Sequence, residues 1–152
     1  MKKIITAIAL TLAAFGSSAA TFGDWESAPQ HNLISTYAPE GSATAQVAIH
    51  NNGNVGISLY PESWEMIPNS RSIRTTNGVM AVNGQRVNFI IETHNDGSVH
   101  MRPATAKGRL FVVGEFWKKA AVTFTLDSGA KSVISAKGVK AAWAHLMSKE
   151  AI

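Results

Sequence analysis

Two histidines, two carboxylates and a guanidinium fall within one short stretch, Ile90 to Arg102, which reads IIETHNDGSVHMR. Glu92, His94 and His100 are the residue types of a two-histidine, one-carboxylate metal centre, or of an imidazole whose pKa a carboxylate raises. Whether they meet depends on register. A two-residue Asp96-Gly97 loop sets His94 against Val99 and Glu92 against Met101, mixing polar and apolar side chains on both faces. A three-residue Asn95-Asp96-Gly97 loop sets Glu92 against His100 and Ile90 against Arg102, and gathers Phe89, Ile91, Thr93, Val99 and Met101 on the opposite face. One slip exchanges the faces, so the apolar pattern selects the three-residue loop. Gly97 then takes the place that a type I turn with a bulge gives to a left-handed residue. Glu92, His94, Ser98, His100 and Arg102 share a face. Arg102 opposes a divalent cation, and an outer sheet face seldom supplies the supporting shell that a metal needs. No metal is assigned. The stretch reads as the polar face of a hairpin, with a pH-sensitive Glu92–His100 pair, its histidine pKa raised, as the minor functional reading.

Other candidate chemistry is sparse. Glu62 and Glu65 flank Trp64 in PESWEMIP, and two carboxylates beside an aromatic suit a glycan-binding or hydrolytic cleft. The plainer account is a proline-bounded surface loop anchored by Trp64. Trp117 is a second aromatic available to a binding groove. Ser128-Gly129-Ala130-Lys131 matches S-x-x-K, but in a turn between strands and without the partner motifs of penicillin-recognising enzymes. Nucleophile-elbow, zinc-protease, phosphate-loop and dinucleotide motifs are missing from the sequence. The chain therefore reads as a non-enzyme without catalytic residues or cofactor.

Those residues must be carried by a scaffold whose composition is informative. Lys2 and Lys3, an apolar run from Ile4 to Phe15, and Ser18-Ala19-Ala20 make a Sec-type signal peptide over residues 1–20, too short to span a membrane stably. The remainder, residues 21–152, is of ordinary size for one domain. There is no cysteine, which removes disulfides, thiol nucleophiles and thiolate zinc sites. Without Lys2 and Lys3 the formal charge falls from +4 to +2. Thr21 to Ser70 holds Asp24, Glu26, Glu40, Glu62 and Glu65 and no Lys or Arg, whereas twelve Lys or Arg and five acids follow. In a sandwich the strands of the two halves are expected to interleave and mix these charges. Export and the modest net charge disfavour nucleic acid.

Short strands divided by turn signals predict an all-β fold, a β-sandwich of antiparallel strands with a short C-terminal α-helix. Ala43 to His50 and Val55 to Tyr60 pair across an Asn-rich turn. Arg71 to Thr76 meets Val79 to Val82 across Asn77-Gly78, and Asn83-Gly84 turns into Gln85 to His94. Leu110 to Val113, Ala121 to Leu126 and Ser132 to Ser135 supply further strands. Val139, Ala142, Trp143 and Leu146 recur at helical spacing, and the helix is expected to close one end of the sandwich, with Lys140 and Lys149 outward.

Three segments carry a resemblance: Phe22-Gly23-Asp24-Trp25, then Phe116-Trp117-Lys118-Lys119-Ala120-Ala121-Val122-Thr123-Phe124, and Ser135-Ala136-Lys137-Gly138-Val139-Lys140-Ala141-Ala142 ahead of Leu146. They resemble the invasion-associated locus B family of exported bacterial proteins. The family's G-D-W start, lysine-plus-strand element and Ser-x-x-Gly-hydrophobic motif into an Ala-containing helix span the chain in outline. Its members commonly carry cysteines, one soon after the G-D-W tryptophan, where this chain has Glu26-Ser27-Ala28. The resemblance implies a β-sandwich in the periplasm or at the cell surface, and implies no catalytic residues. The two ends suggest a clasp in which Phe22, Trp25, Trp143 and Leu146 pack together, Gly23 and Asp24 shape a turn, and Ser135 and Gly138 belong to the facing motif. The leading expectation is an exported interaction module, retained in the periplasm, released or held at the surface, whose partner is a protein or a cell-envelope ligand. An enzyme inhibitor or immunity protein acting through a loop such as PESWEMIP comes second, and a glycan-acting enzyme using Glu62 and Glu65 third.

Overall fold

The computed structural model describes residues 19–40, 43–62, 64, 65 and 67–150, with the side chains of 39, 40, 149 and 150 excepted. Most of the expected signal peptide, and the side chains of Glu40 and Lys149, lie outside the described residues. The fold is all-β with a C-terminal helix, and the strands form one ten-stranded antiparallel sheet, curled into a half-barrel, where two stacked sheets were expected. The strands are β1 (Ala20–Phe22), β2 (Trp25–Ala28), β3 (Leu33–Glu40), β4 (Ala43–His50), β5 (Val55–Pro61), β6 (Ser72–Val82), β7 (Gln85–His94), β8 (Val99–Pro103), β9 (Ala121–Leu126) and β10 (Lys131–Ser135). Helices α1 (Ala106–Lys118) and α2 (Val139–Glu150) complete it.

The strand order is β1-β2-β3-β4-β5-β8-β7-β6-β9-β10. The strands of the acidic and basic halves of the chain thus do not interleave, contrary to expectation: β1 to β5 make one side of the sheet and β6 to β10 the other. Curling brings the two edges together, with β10 against β3. The core lies on the sheet face that the helices cover. Alternate residues such as Trp25, Ile34, Val47, Ile57, Phe89, Met101, Val82 and Val122 point into it, and meet Val112 and Phe116 of α1 and Val139, Ala142 and Leu146 of α2.

Two segments differ from the sequence reading. Asn77-Gly78 is no turn: β6 runs straight through it, pairing Asn77 with Ile90 and Gly78 with Phe89. A Cβ on Gly78 would stand 2.5 Å from Ile91 Cδ1, so the glycine makes room for a neighbouring side chain. Leu110 to Val113 is helix, not strand. Thr105 caps α1 by accepting the Gly108 N–H at 3.0 Å, and Val112 and Phe116, one turn apart, reach the core. The buried Glu115 accepts from Asn83 Nδ2 at 2.8 Å. Asn83 itself opens the β6–β7 turn with positive φ and also accepts from the Thr123 N–H at 2.9 Å.

Candidate functional site

The β7–β8 hairpin has the register that the apolar face demanded: Glu92 opposes His100, Ile90 opposes Arg102 and Ile91 opposes Met101. Gly97 sits at φ +83°, and the Gly97 and His94 N–H groups bond across the three-residue loop. Glu92, His94, His100 and Arg102 therefore lie on the face of the sheet turned away from the helices. β5 pairs with β8, setting Ser58 directly beside His100, and β4 adds Gln46 on the same face.

Both ring nitrogens of His100 are engaged. Ser98 Oγ donates to Asp96 Oδ1 at 2.6 Å and stands 3.1 Å from His100 Nε2. A hydroxyl has one proton, so Ser98 accepts from an Nε2–H, and Nδ1 accepts from Ser58 Oγ at 2.8 Å. The His94 ring lies edge-on, 4.4 Å from that of His100. Burial and the nearby His94 push the His100 pKa below its ordinary 6.5, outweighing the opposite pull of Asp96 and Glu92. That reverses the raised value expected of a Glu92–His100 pair. Asp96 is held well below the usual carboxylate range, chiefly by the Ser98 hydroxyl, with help from the Ser98 N–H and Ser70. Among the described residues no three His, Asp or Glu stand as a metal-holding group.

The loop carrying Glu62, Trp64 and Glu65 is fastened to this hairpin. Ser70 Oγ donates to Asp96 Oδ2 at 2.8 Å, and Arg71 and Asn95 exchange bonds, Arg71 N to Asn95 Oδ1 at 2.9 Å and Asn95 N to Arg71 O at 3.1 Å. Trp64 packs on Tyr60 with ring centroids 4.7 Å apart. Its indole N–H faces the Asp96 carboxylate and helps to keep it ionised, without reaching hydrogen-bond geometry with any group. Glu62 and Glu65 are exposed, while Met66 lies outside the described residues. Beside this loop, Gln46, Ser58, Tyr60, Glu92, His100 and Arg102 line a groove of about 320 Å³. Tyr60 donates to Gln46 Oε1 at 3.1 Å and Gln46 donates to the Tyr37 hydroxyl at 2.8 Å, extending the polar and aromatic strip to β3. The sequence reading missed Ser58, Tyr60 and Gln46. Alternation in VGISLY puts Gly56, Ser58 and Tyr60 on one face, but only the β5–β8 pairing sets them beside His100.

At the other end, the two motif segments meet. Asp24 N–H donates to Lys137 O at 2.9 Å, Trp25 Nε1 to Ser135 O at 2.9 Å, and Ser135 Oγ to Asp24 Oδ2 at 2.6 Å. Gly138, at φ +95°, lies so close that a Cβ would stand 1.7 Å from Phe22 O, and one on Gly23 would stand 2.6 Å from Lys137 O. Trp25 and Leu146 are fully buried, and Phe22 and Trp143 pack at the margin of the same core. The ring partner of Trp25 is Phe116, 5.3 Å away edge-on, whereas Trp143 pairs with Trp117 at 5.5 Å and Phe22 with His145 at 5.3 Å. Trp117 lies on α1, on the helix-covered side of the sheet, and does not line the groove beside the hairpin. It lines a separate groove of about 380 Å³ between the end of α1 and the start of α2. No family model, curated protein or solved structure matches the chain.

Proposed function

We propose that this is an exported, non-enzymatic interaction module of the invasion-associated locus B type, acting in the periplasm or at the cell surface and binding a protein or cell-envelope ligand through the open face of its sheet. The family reading rests on the sequence resemblance carried by Gly23-Asp24-Trp25 and Ser135 to Gly138. The binding reading rests on one observation: the helices cover one sheet face and leave the other as a polar and aromatic groove beside the Trp64 loop. Tyr60 offers a ring, and Gln46, Ser58, Glu92 and Arg102 offer donors and acceptors, the mix that orients a ligand. A serine nucleophile at Ser58 is disfavoured because β5 is paired on both sides, so its amides serve the sheet and do not converge on an oxyanion.

A second reading has its own observation. Ser70 and Arg71, which follow Glu62 and Glu65, are fastened to the hairpin and Trp64 packs on Tyr60, and an exposed loop held at such points suits an enzyme inhibitor. A photo-cross-linking residue placed in living cells at Gln46, at Glu65 or at the exposed Val133 separates these. Discrete adducts at Gln46 alone are expected. Adducts at Glu65 alone favour the inhibitor, and equal yields at all three overturn both.

A further inference from the structure

The helical side of the molecule carries a surface that the open-face reading does not use. Val112, Glu115 and Phe116 turn the inner side of α1 to the core; Leu110 lies exposed on the outer side, and Val113 and Trp117, at helical spacing from it, are partly buried at the core's margin. Leu110 is 71% exposed, the most exposed of the large apolar side chains among the described residues. Trp117 stacks edge-on with Trp143 of α2, and one turn further along α2 Met147 is 39% exposed. The apolar strip therefore crosses from one helix to the other.

Lysines border it. Lys118, Lys119 and Lys140 line the 380 Å³ groove next to Trp117, and no acidic residue lines it. None of the three is ion-paired among the described residues, where the one salt bridge, Arg86–Asp127, is elsewhere. The nearest carboxylate on α1, Glu115, is buried and held by Asn83. Exposed Leu and Met, half-buried tryptophans and a fringe of unpaired lysines together make the composition that settles at a bilayer interface, apolar groups at the acyl boundary and ammonium groups among anionic headgroups. A soluble acidic partner would use the lysines and leave Leu110 without a role.

We propose that the outer face of α1 and α2, centred on Leu110 and the Trp117–Trp143 pair and bordered by Lys118, Lys119 and Lys140, docks the domain on an anionic phospholipid bilayer. The open face of the sheet then points away from the lipid, free for its own ligand. Each lysine near such a surface contributes roughly fivefold in affinity, and the contribution falls with added salt.

Co-sedimentation of the full chain with phosphatidylcholine vesicles, and with vesicles in which a third of the lipid is phosphatidylglycerol, tests this. The N-terminal apolar residues are common to every variant, so differences between variants report the helical face. Lys118→Glu/Lys119→Glu/Lys140→Glu is expected to lower binding to the anionic vesicles more than tenfold. Arg71→Glu/Arg74→Glu/Lys131→Glu, with the same net charge change at exposed positions outside both helices, is expected to lower it far less. Leu110→Ser, at a solvent-facing position, is expected to weaken vesicle binding severalfold while leaving retention on immobilised polyglutamate unchanged. Equal losses in the two charge variants, or Leu110→Ser binding as wild type, would overturn the proposal. The first outcome leaves only general attraction, and the second points to a soluble acidic partner. Tyr60→Ala, in the open groove, is expected to leave vesicle binding unchanged, which keeps the two surfaces separable.

Discussion

His100 sits where opposing influences can be ranked. Burial and His94 disfavour its cation, Glu92 and Asp96 favour it, and the first pair wins. With its folded pKa below 6.5, the unfolded chain takes up a proton first as pH falls, so stability is lost on acidification below about 6.5 and does not change through this group above it. An NMR titration is expected to place His100 below the model-peptide value. His94→Gln, which removes the neighbouring imidazole, is expected to bring it back upward. A titration at or above the ordinary value would refute this ranking. The sequence placed Glu92 opposite His100, because a two-residue period leaves only one register with an apolar face. It could not weigh the charge, since the burial that outweighs the carboxylates comes with the pairing of β5 and β8, where Ser58 and His100 are 42 residues apart in sequence.

At the scale of elements, α1 was the largest departure from the sequence reading. Leu110-Phe111-Val112-Val113 is a run of strand-forming residues, and local propensity is a weak guide where tertiary packing decides. The helical signals were present in Thr105 as a cap and in the four-residue step from Val112 to Phe116. As a helix, the segment delivers Glu115 to Asn83 at the β6–β7 turn and Val112 and Phe116 to the core. Asn83→Ala leaves that buried carboxylate unpaired and also frees the Thr123 N–H, so a loss of about 1–3 kcal/mol is expected by chemical denaturation. An unchanged denaturation midpoint would mean that α1 is held by Val112 and Phe116 alone. The hairpins at Asn83-Gly84 and Asn95-Asp96-Gly97 were legible because each turn needs positive φ that the local residues supply. Asn77-Gly78 carries the same signal and forms no turn, its glycine lying instead against the end of the Ile91 side chain in the strand.

For the whole molecule, stability depends on joining the edges of one curled sheet. Trp25 does this with a buried ring against Phe116 and an indole N–H on Ser135 O, bridging residues 110 apart in sequence. Trp25→Ala is expected to lower stability by roughly 3–5 kcal/mol in a denaturant titration, as removal of a large core aromatic does. A melting curve unaltered by Trp25→Ala would rule out this role. Gly138→Ala adds a Cβ where Phe22 O already lies and at a φ that favours glycine, so it too is expected to destabilise the fold. With no cysteine in the chain, this closure is made by hydrogen bonds and packing alone.

Local patterning was sufficient for the all-β class, the C-terminal helix, the β7–β8 register and the shared face of Glu92, His94, His100 and Arg102. Each depends on alternation, helical spacing or turn chemistry within about twenty residues. The single curled sheet in place of a sandwich, the segregation of acidic and basic strands, the Ser58–His100–Ser98–Asp96 chain and the helical face around Trp117 came only from the tertiary structure. They depend on which distant strands and helices become neighbours, and the competition among those long-range pairings leaves no periodic trace along the chain.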